Sequence, residues 1–206
     1  GVTLSRGGEE FVKAMEEMKE LRKYYDSTIH LPEKLVKRKT AFLWNHENLW
    51  DLENQKQTTA WNTWLHRSVY TSAVKSTGAP MDFITEDTDF SAYPFMIATA
   101  YQLIDQKLVD KWKQYVMNGG HLILSCRTGQ KDRNGHFFEA KWSAPVASLI
   151  GAEIDFFDML VPDINGKIQT VNNIYEWNSW ADVLSPKPGT KVLASYADQF
   201  YKGKAA

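Results

Sequence analysis

Residues 9 to 26 carry Phe11, Met15, Met18, Leu21 and Tyr25 at steps of three and four, which predicts one amphipathic helix. Glu9 with Lys13, Glu16 with Lys19, and Glu20 with Lys23 are spaced for ion pairs on its solvent side. Gly7 and Gly8 precede this helix and Asp26-Ser27-Thr28 ends it. A polar stretch made extended by Pro32 then runs to Arg38. The apolar stripe must pack on something, so the helix is expected to belong to a neighbouring structural unit.

From Thr40 the pattern changes to short apolar runs alternating with helical periodicity. Ala41 to Trp44 predicts a buried strand ended by the polar Asn45-His46-Glu47-Asn48. A helix is expected over 57–76, carrying Trp61, Trp64, Leu65, Val69 and Val74 and closed by Gly78 with Pro80 beyond. Met81 to Thr85 and Phe95 to Thr99 predict two further strands. Asp105 caps a helix through Leu108, Val109, Trp112, Tyr115 and Val116, which Gly119-Gly120 stops. His121 to Ser125 predicts a fourth strand. Continuous apolar strands between helices imply a parallel sheet covered on both faces, hence a doubly wound α/β fold of flavodoxin type. A shorter helix over Ala144 to Ile150 leads into Glu153 to Leu160. Asn134-Gly135 and Asn165-Gly166 predict tight turns and hairpins in the last third, and Lys191 to Ala197 a final strand.

Composition narrows the function classes. The 206 residues are 43% hydrophobic and 24% charged with a formal net charge of -1, so binding to nucleic acid by bulk electrostatics is not expected. No membrane-crossing stretch and no signal peptide is visible, and a cytoplasmic parent protein is favoured. The single Cys126 excludes an intramolecular disulfide and a multi-cysteine metal site. Neither GxxxxGK[ST] nor GxGxxG occurs, so no nucleotide or flavin cofactor is expected, and no metal.

Three clusters are candidates for chemistry. Cys126 follows a strand in Ser-Cys-Arg-Thr-Gly, a context like the turn that holds a nucleophilic cysteine in amidotransferase-like folds. It lacks the preceding glycine and a later His-x-Glu, and His136 is the one histidine downstream, so a buried, inert thiol is the main expectation. Glu86, Asp87 and Asp89 follow a strand, where open α/β sheets gather their sites; carboxylates this close on one loop are better suited to capping and solvation. Trp44, His46, Glu47, Trp50, Trp61 and Trp64 place aromatic rings and polar groups just past the first strand. That combination suits core filling, a protein interface or the rim of a sugar site.

Specific segments carry a resemblance. Thr40-Ala-Phe-Leu-Trp-Asn-His-Glu-Asn-Leu-Trp50 resembles the opening strand and loop of the middle domain of glycoside hydrolase family 42 β-galactosidases. Leu122-Ile-Leu-Ser-Cys-Arg-Thr-Gly129 with Asp132 and Asn134-Gly135 resembles that domain's fourth strand and loop. Leu149-Ile-Gly-Ala152 and Tyr201-Lys-Gly-Lys-Ala-Ala206 resemble a helix end and the start of its closing segment, and the helix at 9–26 is similar to the last helix of the preceding catalytic barrel. The resemblance implies a class I glutamine amidotransferase-like fold without glutaminase chemistry, which joins subunits into a homotrimer and helps wall the active site. It assigns residues 1–37 to the barrel's tail and 38–206 to a C-terminally truncated trimerisation domain. No catalytic residue is expected, since the family's two glutamates lie in the barrel. A galactoside is met only through that barrel; nucleic acid and membrane are not expected partners. Stopping before the last Gly-Lys-Gly strand would leave a sheet edge exposed. A free-standing hydrolase using Cys126 and a carbohydrate-binding module are the alternatives.

Overall fold

A computed structural model describes residues 8–28 and 38–206. The chain divides into two compact units, Gly1–Lys37 and Arg38–Ala206. Helix α1 spans Glu9–Thr28 in the first, with Met15, Met18 and Leu21 exposed along one side.

The second unit is built on four parallel strands: β1 (Thr40–Leu43), β2 (Met81–Ile84), β3 (Phe95–Ala98) and β4 (His121–Leu124). Their order is β2-β1-β3-β4, the run found in doubly wound sheets of flavodoxin type. The register sets Phe42 beside Phe83 and Ile97, and Ile97 beside Ile123. Alternation therefore sends Ala41, Leu43, Ile84, Met96, Ala98, Leu122 and Leu124 to the opposite face. That second face forms the main core with Leu108, Val109, Trp112 and Tyr115 of α4 (Gln106–Met117) and with Val146 of α5 (Ala144–Ile150). The Asp105 side chain caps α4 by accepting from the Leu108 N–H. At the other end, Gly120 lets the chain turn where any Cβ would collide with the Tyr115 ring.

Two helices follow β1 where one was expected. Asn45 is not part of a loop: its side chain accepts from the Asn48 N–H at 2.8 Å and starts α2 (His46–Asn54). Asn62 likewise caps α3 (Thr63–Ser76) by accepting from Leu65. The expected helix over 57–76 therefore begins later, and Trp61 precedes its cap.

The remainder is antiparallel. β5 (Ala152–Met159) pairs with β8 (Trp180–Pro186), with a bulge between Ile154 and Phe156. β6 (Gly166–Thr170) pairs with β7 (Ile174–Trp177) and with β9 (Ala194–Tyr196). Ala205 bridges Leu184 of β8 and Ser195 of β9, joining the two groups. Asn134-Gly135 does turn the chain, between the bridged Lys131 and Phe137. Asn165-Gly166 does not form a hairpin turn, because Gly166 already opens β6 and the reversal comes after Thr170.

Trp112 is fully enclosed beneath the sheet. Trp112→Ala is expected to cost about 3–5 kcal/mol, read as a lower urea midpoint with unchanged slope.

Candidate functional site: an exposed aromatic stripe over a closed sheet end

The α2 cap places successive rings on one surface. Trp44 leaves β1, and its indole Nε1 donates to His46 Nε2 at 3.3 Å. The His46 ring lies 6.0 Å from Trp50 one turn later. On the other side Trp44 meets Trp64 of α3 at 5.9 Å and Phe83 of β2, edge-on, at 5.9 Å. Trp50, Trp64 and Phe83 are 62%, 56% and 58% exposed, so these rings form a continuous apolar stripe facing solvent. Glu47 stands exposed beside it in the first turn of α2. Arg67 backs the stripe, its guanidinium 4.4 Å from the Trp44 ring centroid.

Trp61 does not join the stripe. It is buried, donates from Nε1 to Thr63 Oγ1 at 2.9 Å, and crosses Trp180 edge-on at 6.5 Å. Arg127 sits in the corner they make, its guanidinium carbon 4.5 Å from the Trp61 centroid and 4.8 Å from that of Trp180. A stacked series of Phe137, Trp142, Phe157 and Trp180 continues this cluster into β5 and β8.

Open α/β sheets usually place ligands beyond the carboxyl ends of their strands. Beyond β1 and β3 that region is filled by a buried polar network, whereas past β4 a cleft of about 830 Å³ remains, with His66, Ser125, Cys126 and Asp182 in its lining. Lys131, 0% exposed, donates from Nζ to both Asp51 oxygens at 2.9 Å and to Gln55 Oε1 at 2.7 Å. Asp51 also accepts from Gln102 Nε2 at 2.8 Å. Gln102 Oε1 in turn accepts from Arg127 Nη2 at 3.1 Å, and the Lys56 and Gln55 carbonyls accept from Nη1 and Nη2, while the buried Nε–H has no partner among the described residues. The Arg127 N–H donates to Asp182 Oδ2 at 3.0 Å. Asn48, fully buried, clasps both the N–H and the carbonyl of Leu103. Arg127 and Asn48 lie in segments that the sequence singles out, but for other reasons, and Asp51, Gln55, Gln102 and Lys131 do not stand out in it. Apart from a lysine and an arginine within a few positions of a strand end, no signal marked them.

The candidate chemistry is absorbed in the same way. Burial, with the Asp182 charge adding to it, pushes the Cys126 thiol well above its ordinary range. His66, the histidine nearest to it in the fold, is hydrogen-bonded to Ser125 Oγ at 2.9 Å. His136 is exposed beside Asp132 at 3.6 Å. A protonated thiol without a base is a poor nucleophile. Glu86 is tied to Arg133 at 2.6 Å and accepts from the Tyr101 hydroxyl, while Asp89 caps the short turn at Phe90–Ala92. Among the described residues no group of His, Cys, Asp and Glu could hold a metal ion, and no helix is long and apolar enough to cross a membrane.

The profile of the β-galactosidase trimerisation domain matches residues 38–206. The chain belongs to this family. Its relatives include a β-galactosidase of Haloferax lucentense, 27% identical over 154 residues and covering 75% of this chain and 23% of the relative. One of Bacillus subtilis is 28% identical over 166 residues, covering 79% and 24%. The β-galactosidase structure from Bacillus circulans sp. alkalophilus superposes with a TM-score of 0.81 at 21% identity, over 98% of this chain and 30% of that one. The enzyme of the haloarchaeon Halorubrum lacusprofundi gives 0.79 at 24% identity, over 85% and 26%. These likenesses show the fold. The chain spans about a quarter of the length of the curated relatives it matches. It is thus a trimerisation domain of the glycoside hydrolase family 42 type, and the family's name carries self-association with it.

The trimerisation domain's acid tolerance is expected to depend in part on His66. Burial, helped by the Arg127 and Arg67 charges, lowers its imidazolium to about 4 from 6.5. The folded state holds the neutral ring, so its contribution is complete above 6.5 and is lost as pH falls towards 4. Urea unfolding of the wild type should weaken by on the order of 3 kcal/mol across that range, whereas His66→Gln should flatten the decline. Removing one half of the buried pair by Asp51→Ala is expected to cost about 3–5 kcal/mol in the same assay.

Proposed function

We propose that this domain assembles the subunits of a longer β-galactosidase into a homotrimer, and that the aromatic stripe is the surface where a neighbouring subunit meets it. The observation that carries the reading is the continuity of Trp50, His46, Trp44, Trp64 and Phe83, three of them more than half exposed. Rings held rigidly by neighbours and backed by a stacked arginine have the composition and low ordering cost of interface anchors. The parent enzyme hydrolyses terminal β-galactosides, as the names of the relatives suggest, with its chemistry in a catalytic barrel to which residues 1–37 contribute a closing helix. The present domain supports that site and supplies no catalytic group: burial keeps its cysteine protonated, and Glu86 and Asp89 are engaged by Arg133 and by a helix cap.

Size exclusion coupled to light scattering tests the assembly. The chain is expected to elute at three times its monomer mass, and Trp50→Ala with Trp64→Ala should shift it towards monomer. Loss of one anchor of this kind weakens association about 30-fold, the equivalent of about 2 kcal/mol. A trimer untouched by the double substitution would remove the stripe from the interface. Quenching of tryptophan fluorescence by galactose would instead favour a sugar platform on the same rings.

A further inference from the structure

A patch that meets its own copy joins subunits two by two, whereas a ring of three identical chains joins two different surfaces head to tail. The aromatic stripe therefore requires a second, unlike surface on the same chain.

The three-stranded sheet β7-β6-β9 offers one. Its ladders pair Gln169 with Ile174 and Thr170 with Ala194, so the reversal at Val171-Asn172 and the segment Val192-Leu193 lie at the same end. Val171 is 95% exposed there, and Ile174, Tyr175, Val192 and Leu193 are exposed around it. Two-residue reversals favour Gly, Asn or Asp, and a β-branched valine standing in solvent adds nothing to the turn. The reversal is nonetheless held firmly. The Thr170 N–H and hydroxyl both donate to the Asn173 carbonyl, at 2.8 and 3.1 Å, and Asn173 Nδ2 donates to the Tyr175 hydroxyl at 3.2 Å.

A contiguous apolar cluster fixed in place and left in water marks a contact surface. Its charge complements that of the stripe. Lys191 is the one charged residue in 170–175 and 191–194, and Glu47 is the one carboxylate in 44–50. Both are exposed, and neither pairs with an opposite charge among the described residues.

We infer that the stripe of one subunit seats on the Val171 and Leu193 end of this sheet in the next copy, with Glu47 set against Lys191, and that three such contacts close the ring. This rests on the assembly reading above and names the surface that meets the stripe. Indole faces laid on branched aliphatic side chains bury a large apolar area, while the ion pair at the rim fixes orientation.

The test separates the two halves of the contact. Trp50→Ala with Trp64→Ala removes the stripe, and Val171→Asp with Leu193→Asp removes the sheet end; urea midpoints check that each variant folds. By light scattering, at a concentration where the wild type is trimeric, each is expected to read as monomer. Mixed in equal amounts at high concentration, they should form a species of two chains, because each such pair keeps one intact contact and cannot close a ring. In a second measurement, Glu47→Lys and Lys191→Glu should each weaken assembly about threefold and together restore it. A sheet-end variant that stays trimeric while the stripe variant dissociates overturns this inference and leaves the stripe an interface. A stripe variant that stays trimeric removes both readings. Monomeric variants that fail to associate on mixing, or a double charge reversal no better than either single one, also overturn the pairing.

Discussion

Two buried cations at the carboxyl ends of the strands hold the rest of the domain in place. Lys131 and Arg127 are both 0% exposed, and each must find compensation inside the protein or remain a costly isolated charge. Lys131 obtains it from Asp51 of α2, and Arg127 from two backbone carbonyls, Gln102 and a pair of indole faces. Those partners come from the segment after β1, the loop after β3 and strand β8. Satisfying the two charges therefore requires that α2, the β3 loop and the antiparallel layer close over one end of the sheet together. Burial, opposed by the nearby carboxylates, lowers Arg127 to about 10, so it keeps its charge at neutral pH and the constraint persists.

The same arrangement occupies a place where this architecture commonly houses a reaction centre. A nucleophile at the end of β4 would need access, an ionised thiol and a base. The residue after Cys126 instead sets its guanidinium over the rings of Trp61 and Trp180, and its backbone, at φ 65, donates to Asp182. Asp182 is itself raised by burial and is held by the Trp180 indole at 2.8 Å. A turn that could have exposed a sulfur is used to bind the two layers of the domain.

How much of this the sequence disclosed follows from where the information lies. β1 to β4 were readable because the sheet's middle strands are apolar on both faces, and α4 because its burial repeats every three or four residues from an aspartate cap. The start of α2 was missed because Asn45 and Asn48 look like loop residues, whereas one is a cap and the other is buried to clasp Leu103. β7 was hidden because three of its four residues are exposed, which erases the alternation that marks a half-buried strand, and β6 because its alternating inward positions carry Ile168 as their one large apolar residue. Of the expected site residues, Trp44, His46, Trp50 and Trp64 do come together, with Glu47 beside them. Trp61 departs from the group because it lies one residue before the α3 cap and so points along a loop towards Trp180. Phe83 was absent from the expected set because only the register of β2 against β1 carries it to Trp44.

Tryptophan thus does two opposite jobs in this domain, and neighbours rather than sequence spacing separate them. Trp61, Trp142 and Trp180 pack around a guanidinium and across an inter-layer stack, where their area is removed from water when the chain folds. Trp50 and Trp64 are fixed in orientation by ring contacts yet left in solvent, so their area remains available for a later burial event. Ring contacts restrain a side chain and so reduce the entropy that any later burial would cost. The polar network that closes the sheet end supplies that rigidity. Asp51 anchors α2 through Lys131, and the helix so anchored carries His46 and Trp50 on its outer side.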